Sequence, residues 1–167
     1  TNNEKERRLG GQKAFKALGA GVKVLSRMQL TAADRERLGQ GGKMVVPDEN
    51  SVDYVFYTGC NVLKTPHIAL LCLDIMDALQ LNYSVLGGPS HCCGILQFRS
   101  GDVETSTKVA SNTIEKFIQT GATEVLSWCP TCQVQYSEFG LPTYENATGI
   151  KPFEMRPFVL FLESQLD

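Results

Sequence analysis

The sequence predicts an α/β fold: a parallel sheet of alternating strands and helices with cysteines at its C-terminal strand edge, preceded by a helical arm. Three observations lead there. Short runs rich in β-branched and aromatic residues, "VDYVFY", "YSVLGG" and "TEVLSW", alternate with longer helical patterns. Strands separated by helices pair in parallel, because antiparallel neighbours need only a turn between them. A glycine-rich stretch, "GQGGK" at Gly39–Lys43, marks a boundary, and the charge changes sign there. Residues 1–43 carry ten Lys/Arg against four Asp/Glu, whereas residues 44–167 carry six against fourteen. A basic arm over 1–43 thus precedes an acidic α/β domain over 44–167.

In the arm, Leu9 to Met28 reads as a helix, with Phe15, Leu18, Val22 and Leu25 on one stripe beside Lys13, Lys16, Lys23 and Arg27. Glycines 11, 19 and 21 weaken that helix. "TAAD" at Thr31–Asp34 has the form of a helix start capped by Thr31. "VDYVFY" from Val52 is a buried strand. "TPHIALLCLDIMDAL" is a helix with Thr65 as cap and Pro66 in its first turn, apolar around most of its circumference and so expected to be buried. Tyr83–Gly88 is the second strand. Asp102 caps a helix running to Thr120 and ended by Gly121. Thr123–Trp128 is the third strand, "QVQYSEF" a short helix closed by Gly140, and "LPTYENATG" a loop. "KPFEMR" is a last strand, after which Pro157 opens a helix through Leu166.

The bulk numbers exclude several classes. The longest apolar run, "IALLCL" at Ile68–Leu73, falls well short of the roughly 20 residues that cross a bilayer. "TNNEKERR" lacks the apolar core of a secretion signal. A net charge of −2 gives no ground for a nucleic-acid partner. Six cysteines without an export signal read as metal ligands or redox thiols in a reducing, cytoplasmic setting. The basic arm suggests docking on an acidic partner or peripheral contact with a membrane surface, against the plainer reading of a helix packed on its own domain. An opening Thr in place of Met is expected of a processed form or a fragment.

Five cysteines follow strands. Cys60 comes just after the first, Cys92 and Cys93 after the second, Cys129 and Cys132 after the third. In a parallel sheet those ends open on one edge, where doubly wound folds place their ligands. Gly59 and Gly94 allow sharp turns and close backbone approach beside the thiols. Adjacent cysteines make a strained disulfide, but on a kinked loop they can bind two different atoms of one polynuclear cluster. A mononuclear zinc site takes four ligands, one fewer than this set. Zinc on four of the thiols is the alternative, and a disulfide or metal-free thiol switch a third reading.

The spacing is Cys60, 31 residues, "CCG" at Cys92–Gly94, 34 residues, then "CPTC" at Cys129–Cys132, with "YTGC" around the first cysteine. Over roughly residues 52 to 166 this resembles the cysteine-rich CCG domain family. That family includes a cysteine-rich subunit of heterodisulfide reductase, iron–sulfur subunits of glycolate oxidase and anaerobic glycerol-3-phosphate dehydrogenase, and lactate-utilisation proteins. The resemblance implies that Cys60, Cys92, Cys93, Cys129 and Cys132 are ligands of a noncubane [4Fe–4S] cluster, with zinc as the alternative metal because some family copies hold it. It also implies an oxidoreductase role in electron transfer to or from a thiol or disulfide. In heterodisulfide reductase the domain occurs twice in one polypeptide and the pair cleaves the substrate between them. This chain has one copy and no tightly spaced four-cysteine ferredoxin pattern. The resemblance therefore implies partners: a flavin or ferredoxin-like redox subunit, and a second CCG-bearing chain unless the sequence is part of a longer one. "GAGVKV" at Gly19–Val24 has no preceding strand and makes no nucleotide loop.

Other residues carry two readings each. Cys72, mid-helix among leucines, reads as a small core residue. His91 either donates a hydrogen bond to a cluster sulfur or sits exposed on a loop. Trp128 either shields the site from water or packs in the core. His67 reads as surface. Asn61 and Lys64 either face the crevice, where Lys64 attracts an anionic substrate, or are solvated.

Overall fold

The computed structural model describes residues 2–39, 52–60 and 62–166. Four strands, β1 (Tyr54–Gly59), β2 (Tyr83–Gly87), β3 (Glu124–Ser127) and β4 (Glu154–Pro157), form one parallel sheet in the order β2-β1-β3-β4. Val55 of β1 lies between Ser84 of β2 and Val125 of β3. The chain therefore moves outward from β1 to β2, then returns past β1 to β3. Winding reverses at β1, and at such a point the strand ends open a crevice.

Helices cover both faces of the sheet. The first face carries α1 (Asn2–Gln29), α2 (Ala32–Arg37), α3 (Pro66–Ala78) and α8 (Phe158–Glu163), which bury Val22, Leu38, Leu73, Met76 and Phe161 with Phe56 of β1. The second carries α4 (Ile95–Arg99), α5 (Val103–Gln119), α6 (Pro130–Val134) and α7 (Leu141–Thr148); Ile114, Phe117 and Tyr136 pack there on Val55 and Tyr57. Val55 and Phe56 are fully buried on opposite faces, as the period of two in a doubly covered strand requires. Each such side chain contributes roughly 1.5–3 kcal/mol.

The arm is one helix from Asn2, seven residues earlier than the periodicity suggests. Its glycines do not break it. Gly11 is where α1 meets α4: a Cβ there would stand 2.4 Å from Ser100 Oγ. The buried face runs through Gly11, Val22 and Ser26, and Leu25 of the expected stripe is 42% exposed. Thr31 caps α2 as expected, closing a reciprocal box with Asp34. Of the expected boundary at Gly39–Lys43 only Gly39 lies among the described residues; it is buried, and a Cβ there would meet Val85 O at 2.9 Å.

Other expectations change. The side chain of Thr65 makes no capping hydrogen bond on α3, and Ile68 and Leu71 of that helix are exposed, because only one side of it meets the sheet. "LPTYENATG" is helical rather than a loop. Gly140 takes helical angles (φ −65, ψ −53), and a wide π-helical turn over Gln135–Gly140 joins α6 to α7. Leu141 N–H donates to Tyr136 O across that turn. The wider ring accommodates Pro142, whose missing N–H and bulky ring a regular helix interior rejects. Gly149, in the left-handed region at φ +73, ends α7. The last helix stops at Glu163 rather than Leu166.

Candidate metal centre

The C-terminal ends of β1, β2 and β3 meet at one edge of the sheet, and each is followed by cysteine. Cys60 comes directly after Gly59, the last residue of β1. Gly59 is left-handed (φ +70), and a Cβ on it would stand 3.2 Å from Cys129 Cβ and 3.3 Å from Cys132 Sγ. Only a residue without a side chain lets the end of β1 lie this close to the CPTC turn.

The exit of β2 is a 3-10 turn, Pro89–His91, followed by Cys92, Cys93 and Gly94. Gly94 has φ +79, and a Cβ there would meet Ser106 O at 2.6 Å. Ser106 Oγ donates to Gly94 O at 3.0 Å, tying the turn to α5. The carbonyl of Cys92 accepts from Thr113 Oγ1 (3.0 Å) and Tyr136 OH (3.2 Å), and that of His91 from Tyr57 OH (2.6 Å). Burial holds both phenols far above their ordinary pKa, so each keeps its proton to donate. After β3, Cys129 occupies the N-cap of α6 and Cys132 lies within that helix.

The five thiols form a chain of neighbours. Cys60 and Cys93 both hydrogen-bond to Cys92, and Cys132 reaches both Cys93 and Cys129. The protons divide unequally. Cys92 receives the bonds from Cys60 and Cys93 and a backbone N–H from Gly94 at 3.4 Å, which bring its pKa down to about 3. The bond from Cys132 lowers Cys129 to about 6, with the backbone N–H groups of Cys132 and Thr131 adding to it. Cys132 and Cys60 are pushed well up, first by donating to those sulfurs and then by burial. For Cys93, the bond from Cys132 pulls downward, but donation to Cys92 and burial outweigh it and raise the thiol to about 12. The arrangement thus lowers two of the five thiols, Cys92 and Cys129, and raises the other three. Among the described residues no group of three or more His, Cys, Asp or Glu side chains is arranged so that it could hold a metal ion.

The sixth cysteine is elsewhere. Cys72 is buried in α3 among Leu73, Met76 and Phe56 on the first face, and burial raises it to about 11. His91 is buried rather than exposed; its Nδ1 lies 2.8 Å from Gly87 O. A carbonyl only accepts, so Nδ1 carries the ring proton, and burial disfavours the second. Trp128 packs on the first-face cluster with Phe158, the core alternative of its two readings. His67 and Lys64 are exposed, and Asn61 lies outside the described residues. Sequence reasoning missed Tyr57, Ser106, Thr113 and Tyr136, side-chain donors that fix the His91–Gly94 segment. No local signal separates them from ordinary core and helix residues, since their partners are distant in sequence.

Four buried cysteines and the half-buried Cys129, from three strand exits, make an all-sulfur donor set, the kind that takes zinc or an iron–sulfur centre. Comparison with known proteins points the same way. The cysteine-rich domain family CCG matches residues 54–137. The chain is 30% identical over 95 residues to a subunit of the dihydromethanophenazine:CoB–CoM heterodisulfide reductase from Methanosarcina mazei, covering 53% of this chain and 23% of that protein. The counterpart from Methanosarcina barkeri is 28% identical over the same length and share. The chain thus spans about a quarter of the length of these relatives. No solved structure matches. The family's match takes in the first three strands and every strand-end cysteine, over half of the sequence, and the chain belongs to the cysteine-rich CCG domain family.

Proposed function

We propose that Cys60, Cys92, Cys93, Cys129 and Cys132 hold a noncubane [4Fe–4S] cluster, and that the chain is the cluster-bearing part of a heterodisulfide reductase-like complex. The observation that carries this reading is the convergence of five cysteines from three separate strand ends, each neighbouring at least one other: Cys60 and Cys93 beside Cys92, and Cys132 beside Cys93 and Cys129. That is one sulfur more than a mononuclear zinc site takes, strung along an edge rather than around a point. The heterodisulfide reductase relatives support membership of a redox complex. Its other members are a flavin or ferredoxin-like electron donor and a second CCG motif.

Bound there, the cluster supplies one-electron transfer to or from a sulfur substrate. The chain's own residues do the rest. The five cysteines give up their protons to ligate. Gly59 and Gly94 keep the backbone close enough for all three exits to reach one centre. Tyr57, Thr113 and Tyr136 hold the carbonyls of His91 and Cys92, which aims the adjacent thiols. Cys92, Cys93 and Cys132 are at most 2% exposed and exclude water. Cys129 is half-buried and is the side from which a partner or substrate approaches.

Anaerobic purification followed by metal and sulfide analysis tests the reading. About four irons with matching acid-labile sulfide per chain, and a paramagnetic signal on oxidation, are expected. One zinc per chain without sulfide would overturn it in favour of a structural zinc module.

A further inference from the structure

A cleft of about 360 Å³ lies between the arm and the exit of β2, and no cysteine lines it. Its floor is the Gly87–Ser90 segment and its walls come from α1 and α2. Lys23 and Arg27 of α1 and Arg35 of α2 line it, and none of the described carboxylates does. Lys23 and Arg27 are one turn apart on the same helix, a like-charge pair that repels in isolation. Neither makes a side-chain hydrogen bond or ion pair among the described residues. Arg35 is anchored: its Nη1 reaches Ser26 O (3.5 Å) and Leu30 O (3.4 Å) at the end of α1. From the far side of the floor, Lys116 Nζ donates to Ser90 O at 3.0 Å and adds positive potential.

Gly19 gives an independent observation. It sits inside α1, where glycine is disfavoured against alanine. A Cβ on it would meet nothing within 4 Å, so the packing of this chain does not require glycine there. Gly19 lines the cleft.

We infer that the cleft binds a small phosphorylated molecule, with the phosphate seated among Lys23, Arg27 and Arg35. Three cations with no carboxylate among the described residues lining the cleft match a dianion better than a monoanion, and a guanidinium presents paired donors to phosphate oxygens. The volume falls at the low end of the roughly 300–1,000 Å³ of small-molecule sites, which leaves room beyond the phosphate for a compact body. The arm supplies most of the site, so it stands independently of the cluster reading.

Isothermal titration calorimetry of the anaerobically purified full chain tests this, with inorganic phosphate, ribose 5-phosphate, ribose and phosphatidic acid vesicles as separate titrants. Phosphate and ribose 5-phosphate are expected to bind, the latter tighter, and ribose to give no heat. Lys23→Gln/Arg27→Gln removes two exposed cations, leaves the fold intact by circular dichroism, and weakens ribose 5-phosphate binding about a hundredfold. Gly19→Ala puts a methyl in the cleft; it weakens binding about tenfold while leaving the melting temperature unchanged or higher. Three results would each overturn the inference: no heat with either phosphate titrant, double-variant binding within twofold of the parent, or heat with the vesicles alone, which would assign the cations to a lipid surface.

Discussion

Each face of the sheet buries a cysteine, and the two have little in common beyond burial. Cys72 is 5% exposed on the first face and Cys93 is 0% exposed on the second. Their thiols are raised to similar values, about 11 and about 12. The causes differ. Cys72 is raised by burial among aliphatic neighbours, whereas Cys93 sits between two other sulfurs, one pulling it down and one pushing it up. Neither burial nor acidity therefore marks a ligand. What separates the two is position: Cys72 lies in the middle of a helix that runs antiparallel to the strands, and Cys93 lies just beyond a strand end.

The sharpest way to break this comparison is to change both cysteines alike. Cys93→Ser should remove most of the bound metal and its sulfide, whereas Cys72→Ser should leave metal content unchanged and cost about 1 kcal/mol of stability for a buried hydroxyl. Metal analysis beside thermal melts decides it; equal loss from both variants contradicts the roles given to the two residues.

Gly94→Ala tests whether the backbone matters as much as the sulfur. A side chain in the left-handed region, aimed at Ser106 O, should destabilise the fold by about 3 kcal/mol and lower metal content with every cysteine still present. Tyr136→Phe should be milder. It removes one of two donors to the Cys92 carbonyl and should cost about 1 kcal/mol in denaturant unfolding, with metal retained. Arg37→Gln should be the mildest. It breaks the exposed pair with Asp74 and Asp77 that ties α2 to α3, and should change stability by less than about 1 kcal/mol. A larger loss would mean that the arm's docking depends on charge rather than on Val22 and Leu38.

The strands and the meeting of the cysteines were legible because both follow from local pattern plus one topological rule. β-branched and aromatic runs mark strands, parallel strands end on one edge, and whatever follows them converges. The helix over Leu141–Thr148 was not legible, since Pro142 and Gly140 read as breakers and the π turn that accommodates them is set by packing on Tyr136. The five-residue α4 carries too little periodicity to notice. The docking of α1 rests on Gly11 meeting Ser100, a contact between residues far apart in sequence. The inward sharing of protons among the sulfurs depends on side-chain placement, which spacing alone does not specify.

The sheet order has a consequence for biosynthesis. β1 is the middle strand of three whose ends carry sulfur, and β3 is made last of them. A nascent chain that has emerged only as far as residue 120 holds Cys60, Cys92 and Cys93 but lacks the strand that brings the remaining two thiols alongside. On the proposed five-cysteine ligation, cofactor insertion waits for the pairing of β3 with β1, a contact between segments about 70 positions apart that forms late for entropic reasons.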